Sequence, residues 1–226
     1  MAETLSLRAK IEQSPMGAYQ WMIVAMAAIM NLLDGFDVLA LAFTATAIQN
    51  EFGLTRIELG YLLSAGLFGM AAGSLFLAPL ADKIGRRPLL LMAVSLSAIG
   101  MLGSAFISQY QWLGFWRVIT GLGVGGILVG TNVITSEYSS RKWRSFAISV
   151  YAAGFGIGAV LGGMFAVMLQ GEYGWRSVFL AGAILTGLLL VILFIWLPES
   201  IDFLTSKQPK NAEVRLNLIA KRIGLA

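Results

Sequence analysis

Six long apolar runs, at 19–48, 58–80, 88–107, 111–136, 145–170 and 175–197, alternate with short polar stretches along the chain. A helix needs about 20 apolar residues to cross a hydrocarbon core. The runs are dense in Leu, Ala, Val, Met, Phe and Gly and lack the sustained period-two alternation of barrel strands. Each therefore predicts a transmembrane helix, the first long enough to tilt. The fold class that follows is all-α, an integral membrane bundle of six helices. The pattern divides the chain into a polar segment at 1–18, the bundle at 19–197 and a mixed tail at 198–226. The leading segment carries Glu3, Arg8, Lys10 and Glu12, ends near Pro15, and has neither the apolar stretch nor the cleavage site of a signal peptide. The tail scatters Leu204, Val214, Leu216, Leu218 and Ile219 among charges, which predicts a linker with a short amphipathic surface helix.

Composition agrees with the pattern. Hydrophobic residues make up 58% of the chain and charged residues 12%, against about a quarter charged in a soluble domain. So much apolar surface exceeds what one soluble core of this size hides, and a bilayer takes the excess. The chain has no cysteine and no histidine, which removes disulfides, thiol nucleophiles and the commonest metal ligand. No cofactor or metal site is expected.

The net charge of +4 acquires its meaning from placement. With six spans, Arg8, Lys10, Lys83, Arg86, Arg87, Arg141, Lys142 and Arg144 fall on one side of the membrane. The tail adds Lys207, Lys210, Arg215, Lys221 and Arg222 to that side, making thirteen of the sixteen basic residues. Arg56 and Arg176 lie opposite, and Arg117 lies within a span. The positive-inside rule then puts both termini in the cytoplasm, and topology explains the basic balance with no nucleic-acid partner.

Three charges lie where charge is costly. Asp34 and Asp37 sit inside the first span, each costing about 3 kcal/mol or more at bilayer depth. At 3.6 residues per turn they share one side of the helix with Asn31, Leu41 and Thr44. That side is expected to face the bundle or a watery cavity, while Ile29, Met30 and Leu33 meet lipid or packing partners. Gly35 permits close approach or a bend. Two acids one turn apart repel each other, and a proton held between them relieves both repulsion and desolvation. Such a group can load and release a proton; the plainer reading makes one acid a helix cap or the partner of a structural Arg. Arg117 opens the fourth span, about 9 Å along the helix from Gln111, after Tyr110, Trp112, Phe115 and Trp116. It either snorkels to the interface those aromatic residues mark or turns inward, to bind an anion or pair with an aspartate. The inward reading is favoured, because Thr131, Asn132 and Thr135 are read on the same helix side.

The loop Ala78-Pro-Leu-Ala-Asp82-Lys83-Ile84-Gly85-Arg86-Arg87-Pro88 reads first as a basic hairpin with a tight glycine turn. Gly154, Gly158 and Gly162 form a small-xxx-small ridge on the fifth span, suited to close helix packing and also to sliding. The glycines at 121, 123, 125, 126 and 130 contain G-x-G patterns, but no strand precedes them and the stretch is intramembrane, so a dinucleotide site is not expected.

Asp82-Lys83-x-Gly85-Arg86-Arg87 resembles the second-to-third loop signature of the major facilitator superfamily. Arg117-x-x-x-Gly121-x-Gly123-x-Gly125 with Glu137 resembles its fourth-span signature. Arg144, Gly174-Trp175-Arg176 and Leu197-Pro198-Glu199-Ser200 are similar to further landmarks in the same order. Ala78 stands where the loop signature usually has Gly, and Val129 where many relatives carry Pro. Within the superfamily, Asp34-Gly35-Phe36-Asp37 resembles the first-span motif of the aromatic acid:proton symporters.

The resemblance implies the N-terminal six-helix half of a secondary transporter in the inner (plasma) membrane, in which spans one to three and four to six are inverted repeats. It implies proton-coupled symport of a small organic anion, an aromatic carboxylate, by alternating access. Asp34, Asp37, Arg117 and Asn132 are the expected coupling and substrate residues. Asp82, Lys83, Gly85, Arg86, Arg87, Glu137 and Arg144 are the expected cytoplasmic gate. The expected coupling rule has the charged aspartates occupying Arg117, and protonation freeing it for the substrate. Phe36, Phe43 and Phe115 are candidates to stack on an aromatic ring. The expected partners are substrate, protons, the bilayer, and a C-terminal six-helix half or a second copy. A sugar porter, a dicarboxylate carrier or a drug exporter would use the same fold. A non-transporting scaffold gains nothing from buried charge, and no nucleophile–base pair is readable for an enzyme.

Overall fold

A computed structural model describes residues 2–224, with side chains from Leu7 onward. All of the regular structure among the described residues is helical. Six helices are long and apolar enough to cross a membrane: α2 (Ala18–Phe52), α3 (Arg56–Ile84), α4 (Arg86–Ala105), α5 (Tyr110–Tyr138), α6 (Arg144–Tyr173) and α7 (Trp175–Trp196). They correspond one to one with the apolar runs. Three shorter helices flank them: α1 (Ala2–Gln13), α8 (Ile201–Lys207) and α9 (Ala212–Ile223).

Local chemistry sets the ends. Thr55 and Glu58 form a reciprocal cap at the start of α3: Glu58 N–H donates to Thr55 Oγ1 at 3.3 Å, and Thr55 N–H donates to the Glu58 carboxylate at 2.9 Å. Between α3 and α4 the chain turns at Gly85 with φ +101°, a conformation that glycine adopts at little cost.

Two seams organise the bundle. On one, α6 lies against α2. A Cβ at Gly158 would overlap the Leu32 carbonyl, one at Gly162 the Phe36 ring, and one at Gly35 the Phe155 carbonyl. On the other, α3 lies against α5, where Cβ atoms at Gly121 and Gly125 would overlap the carbonyls of Gly66 and Met70. Exchanging α2 with α5 and α3 with α6 turns one seam into the other, the relationship expected of inverted repeats. The ridge at 154, 158 and 162 is thus a packing ridge in this structure. Helix α4 fills the space between α5 and α7.

The outside of the bundle is apolar. Phe68 and Leu75 on α3, Val160 and Met168 on α6, and Val191 and Phe194 on α7 are exposed, a surface compatible with lipid or another apolar helix and not with water.

The terminal segments depart from the sequence reading. The leading segment forms α1, whose Leu7 and Ile11, one turn apart, join a core that also contains Tyr138, Leu197, Leu204, Leu216 and Ile219. The tail forms two helices that pack inward through Leu204, Leu216 and Ile219, while the end of α8 and the polar side of α9, with Val214 and Leu218, are exposed. Helices of 7 to 12 residues are marginal alone; burial of these apolar side chains against the bundle stabilises them.

Candidate functional site

The first-span face forms as read: Asn31, Asp34, Asp37, Leu41 and Thr44 are all buried. Met30 and Leu33 are packing residues, and Ile29 faces outward. Helix α2 runs unbroken through Gly35, so neither aspartate caps a helix break.

The two acids have different surroundings. Ser97 Oγ on α4 donates a 2.7 Å hydrogen bond to Asp37 Oδ2, while Asp37 Oδ1 is buried without a partner. Asp34 Oδ2 is likewise buried and unpartnered. One turn earlier, Asn31 Nδ2 donates to the Tyr151 carbonyl on α6 at 2.8 Å, and the Tyr151 hydroxyl lies 3.2 Å from Thr131 Oγ1, which donates its own proton to the Ile127 carbonyl at 2.6 Å.

Arg117 turns inward and is 3% exposed. One terminal nitrogen donates to the Asp37 backbone carbonyl at 3.3 Å. The other lies 3.0 Å from Met101 Sδ, 3.0 Å from Ser104 Oγ and 3.1 Å from Thr120 Oγ1. Its guanidinium carbon sits 4.8 Å from the centre of the Phe179 ring, within cation–π range. Nε is buried and unpartnered. Among the described residues the ion pairs within 4.0 Å do not include Arg117. The aspartate–Arg117 ion pair assumed by the coupling rule is therefore not formed in this structure; neutral oxygens and a thioether hold the guanidinium instead.

Asp37 and Arg117 share the wall of one recess between α2, α3 and α5, with Leu41, Leu63, Leu67 and Met70. The recess encloses only about 30 Å³, water-sized space, so by itself it is one wall of a small-molecule site and not a complete one. Asp34 does not line it. Phe36, Phe43 and Phe115 do not line it either: Phe36 and Phe43 pack against Gly162 and Gly163, and Phe115 is exposed beside Trp112 and Trp116. Asn132 also departs from the expectation, being exposed while Thr131 and Thr135 are buried. Neighbouring positions on a helix diverge by about 100°, which turns Asn132 away from those threonines.

The gate residues assemble differently from the expectation. Arg86 pairs with Asp82 at 2.7 Å, and Lys83 is exposed. Arg87 N–H donates to Glu199 Oε1 at 3.0 Å, and its guanidinium donates to the Phe194 carbonyl at 2.6 Å. A Cβ at Gly85 would run into the Glu199 carboxylate, so this glycine makes both the turn and the seat for Glu199. The Glu137 carboxylate accepts 2.9 Å hydrogen bonds from Ser200 Oγ and the Ile201 N–H. Two buried carboxylates thus cap helix N-termini, Glu199 on α4 and Glu137 on α8, as the helix dipole favours. Arg144 does not join Glu137. It pairs with Glu12 of α1 at 2.8 Å, and the Arg141 N–H donates to the Glu12 carbonyl at 3.0 Å. Arg8 bonds Asp202 at the start of α8. The Arg144 guanidinium holds the Glu12 carboxyl below its ordinary value.

Glu12, Glu199, Ser97, Ser104 and Thr120 were not singled out from the sequence as site residues. The hydroxyls had one available signal, a spacing of two turns between Ser97 and Ser104 in the third span.

Six membrane-length helices around buried acids and a buried guanidinium define a polytopic membrane protein built to handle charge within the bilayer. The chain belongs to the Major Facilitator Superfamily, whose family model matches residues 27–222. It is 36% identical over 204 residues to the gallate transporter of Pseudomonas putida, covering 90% of this chain and 45% of that protein. It is 34% identical over 218 residues to the 4-hydroxybenzoate transporter PcaK of Pseudomonas putida, covering 96% of this chain and 49% of that protein. The chain spans about half the length of these curated relatives. Among solved structures, the partially occluded inward-open xylose transporter XylE from E. coli superposes with a TM-score of 0.80 at 22% identity, over 92% of this chain and 56% of that one. That likeness concerns the fold.

Proposed function

We propose that the protein containing this chain imports small aromatic carboxylates together with protons by alternating access. The observation that carries the reading is the shared recess of Arg117 and Asp37, where a buried guanidinium has donor capacity to spare. Arg matches a carboxylate as a planar fork of donors, and the apolar wall of Leu63, Leu67 and Met70 suits a ring. The identities of 36% and 34% to gallate and 4-hydroxybenzoate transporters support that cargo. Asp34 and Asp37 would carry the coupling protons. In this reading the chain supplies one six-helix wall, a further six-helix unit or second copy supplies the other, and the basic side of the bundle faces the cytoplasm of a bacterial inner membrane. Asp82, Gly85, Arg86, Arg87, Glu137 and Glu199 would close that side, with Glu12 and Arg144 bracing it.

The test is uptake of labelled 4-hydroxybenzoate and gallate into proteoliposomes with an inward-directed proton gradient. Accumulation that collapses with the gradient supports the reading. Failure to accumulate any aromatic carboxylate, in vesicles where the protein is folded and inserted, overturns it.

A further inference from the structure

Arg117 and Asp37 present a physical puzzle. Opposite charges in a low-dielectric interior attract strongly, and these two touch one recess, yet the guanidinium reaches the Asp37 carbonyl and not its carboxylate. What competes for each charge is a hydroxyl. Ser104 Oγ donates its proton to the Gly100 carbonyl at 2.7 Å, and Thr120 Oγ1 donates its proton to the Trp116 carbonyl at 3.0 Å. With their protons committed to their own helices, both oxygens are fixed acceptors, and both face one terminal nitrogen of Arg117 at 3.0 and 3.1 Å. Ser97 works in the opposite sense and donates to Asp37 Oδ2 at 2.7 Å. Ser97 and Ser104 lie two turns apart on α4, about 10.5 Å along the axis. All three hydroxyl residues are buried. Arg117 Nε and Asp37 Oδ1 remain buried without partners.

We infer that Ser97, Ser104 and Thr120 are positioning residues that hold Arg117 and Asp37 apart, so that the guanidinium stays open to the carboxylate of a bound anion. Helix α4 sets the spacing through its two serines, and α5 contributes Thr120. The inference rests on the anion-binding reading above but not on the anion being aromatic. Without the hydroxyls, Arg117 turns to the Asp37 carboxylate and the substrate must break an ion pair to bind. The penalty falls on binding more than on turnover, since the pair forms in the empty site.

The experiment measures uptake kinetics and equilibrium binding of 4-hydroxybenzoate on the full protein, with benzoate, gallate, succinate and xylose as further probes. The variants are Thr120→Val, Thr120→Ser and Ser104→Ala, each checked for folding by detergent size-exclusion elution. Thr120→Val keeps the side chain's shape and removes its oxygen. Losing a hydrogen bond to a charged group should raise KM and Kd about tenfold, with kcat changed less than threefold. Thr120→Ser, which keeps the oxygen, should restore both constants. Unchanged KM in Thr120→Val and Ser104→Ala, with tight aromatic acid binding by the parent, overturns the positioning role and leaves the cargo reading intact. Parent binding of succinate but no aromatic acid, weakened in the same variants, upholds positioning and overturns the cargo. A parent that binds none of the carboxylates overturns both, and equal losses in Thr120→Val and Thr120→Ser overturn positioning.

Discussion

Ser97 donates a 2.7 Å hydrogen bond to Asp37, whereas Asp34, one turn earlier on the same helix, has a buried carboxylate oxygen without a donor. Two acids that look alike in the sequence are therefore differently held. Asp37 shares a wall with Arg117, whereas Asp34, equally buried, does not line that recess. Asp34→Asn is expected to lower proton-driven uptake at least tenfold while sparing substrate binding. Asp37→Asn is expected to lose uptake and also change Kd, because it borders the recess. Paired uptake and binding assays decide this, and undiminished coupling in both variants would remove the aspartates from the mechanism.

Arg117→Lys keeps the charge and loses the planar fork. An ammonium cannot serve the Asp37 carbonyl, the Ser104–Thr120 pair and a ligand with the same geometry. Binding of an aromatic acid is expected to weaken about tenfold or more with little loss of expression, measured by equilibrium binding on purified protein.

The α2–α6 seam makes a stability prediction with a built-in control. Gly158→Ala pushes a methyl group into the Leu32 backbone, and overpacking of this kind costs about 1–3 kcal/mol. Gly156, two residues away, has open space where its Cβ would stand, and alanine there gains helix propensity of up to about 1 kcal/mol. Thermal unfolding should show Gly158→Ala below the parent and Gly156→Ala at or above it.

Glu12 and Arg144 make the brace between α1 and α6 pH-dependent. The pairing lowers the Glu12 carboxyl from its ordinary value of 4.5. Its stabilisation is then present above the unfolded-state value and lost as pH falls through the lower folded-state value. Protease access to α1 should therefore rise on acidification below about pH 4.5. Glu12→Gln should show that access already at pH 7 and lose this component of the pH response.

Much of this was legible because burying charge in a bilayer leaves an unambiguous trace. The apolar runs, Asp34, Asp37 and Arg117 stand out for that reason, and the inward turn of Arg117 follows from the same cost. Asn132 does not share the side of Thr131 and Thr135, because an uncharged amide carries too small a penalty to fix its direction. The hydroxyls were overlooked because a serine in a helix satisfies itself on its own backbone, and only the fold shows which oxygen faces a guanidinium. Helix α1 is not legible because its two core residues, Leu7 and Ile11, belong to a cluster that also draws on Tyr138, Leu197 and Leu216, far away in sequence. The Arg144–Glu12 pair was unreadable for the same reason.

The charge count of the interior has a consequence for energetics. Asp34, Asp37 and Arg117 carry one negative charge in excess when both acids are ionised, and none when they share a single proton. A bound monocarboxylate restores the excess, and a second proton cancels it. An occupied interior that moves with one added proton per substrate anion is electroneutral, so the proposed uptake would feel the pH difference across the membrane and ignore the voltage. In vesicles clamped with potassium and valinomycin, the initial rate of aromatic acid uptake should stay constant as the potential is varied at fixed pH gradient. A rate that climbs with interior-negative potential would show that an additional charge travels with each cycle.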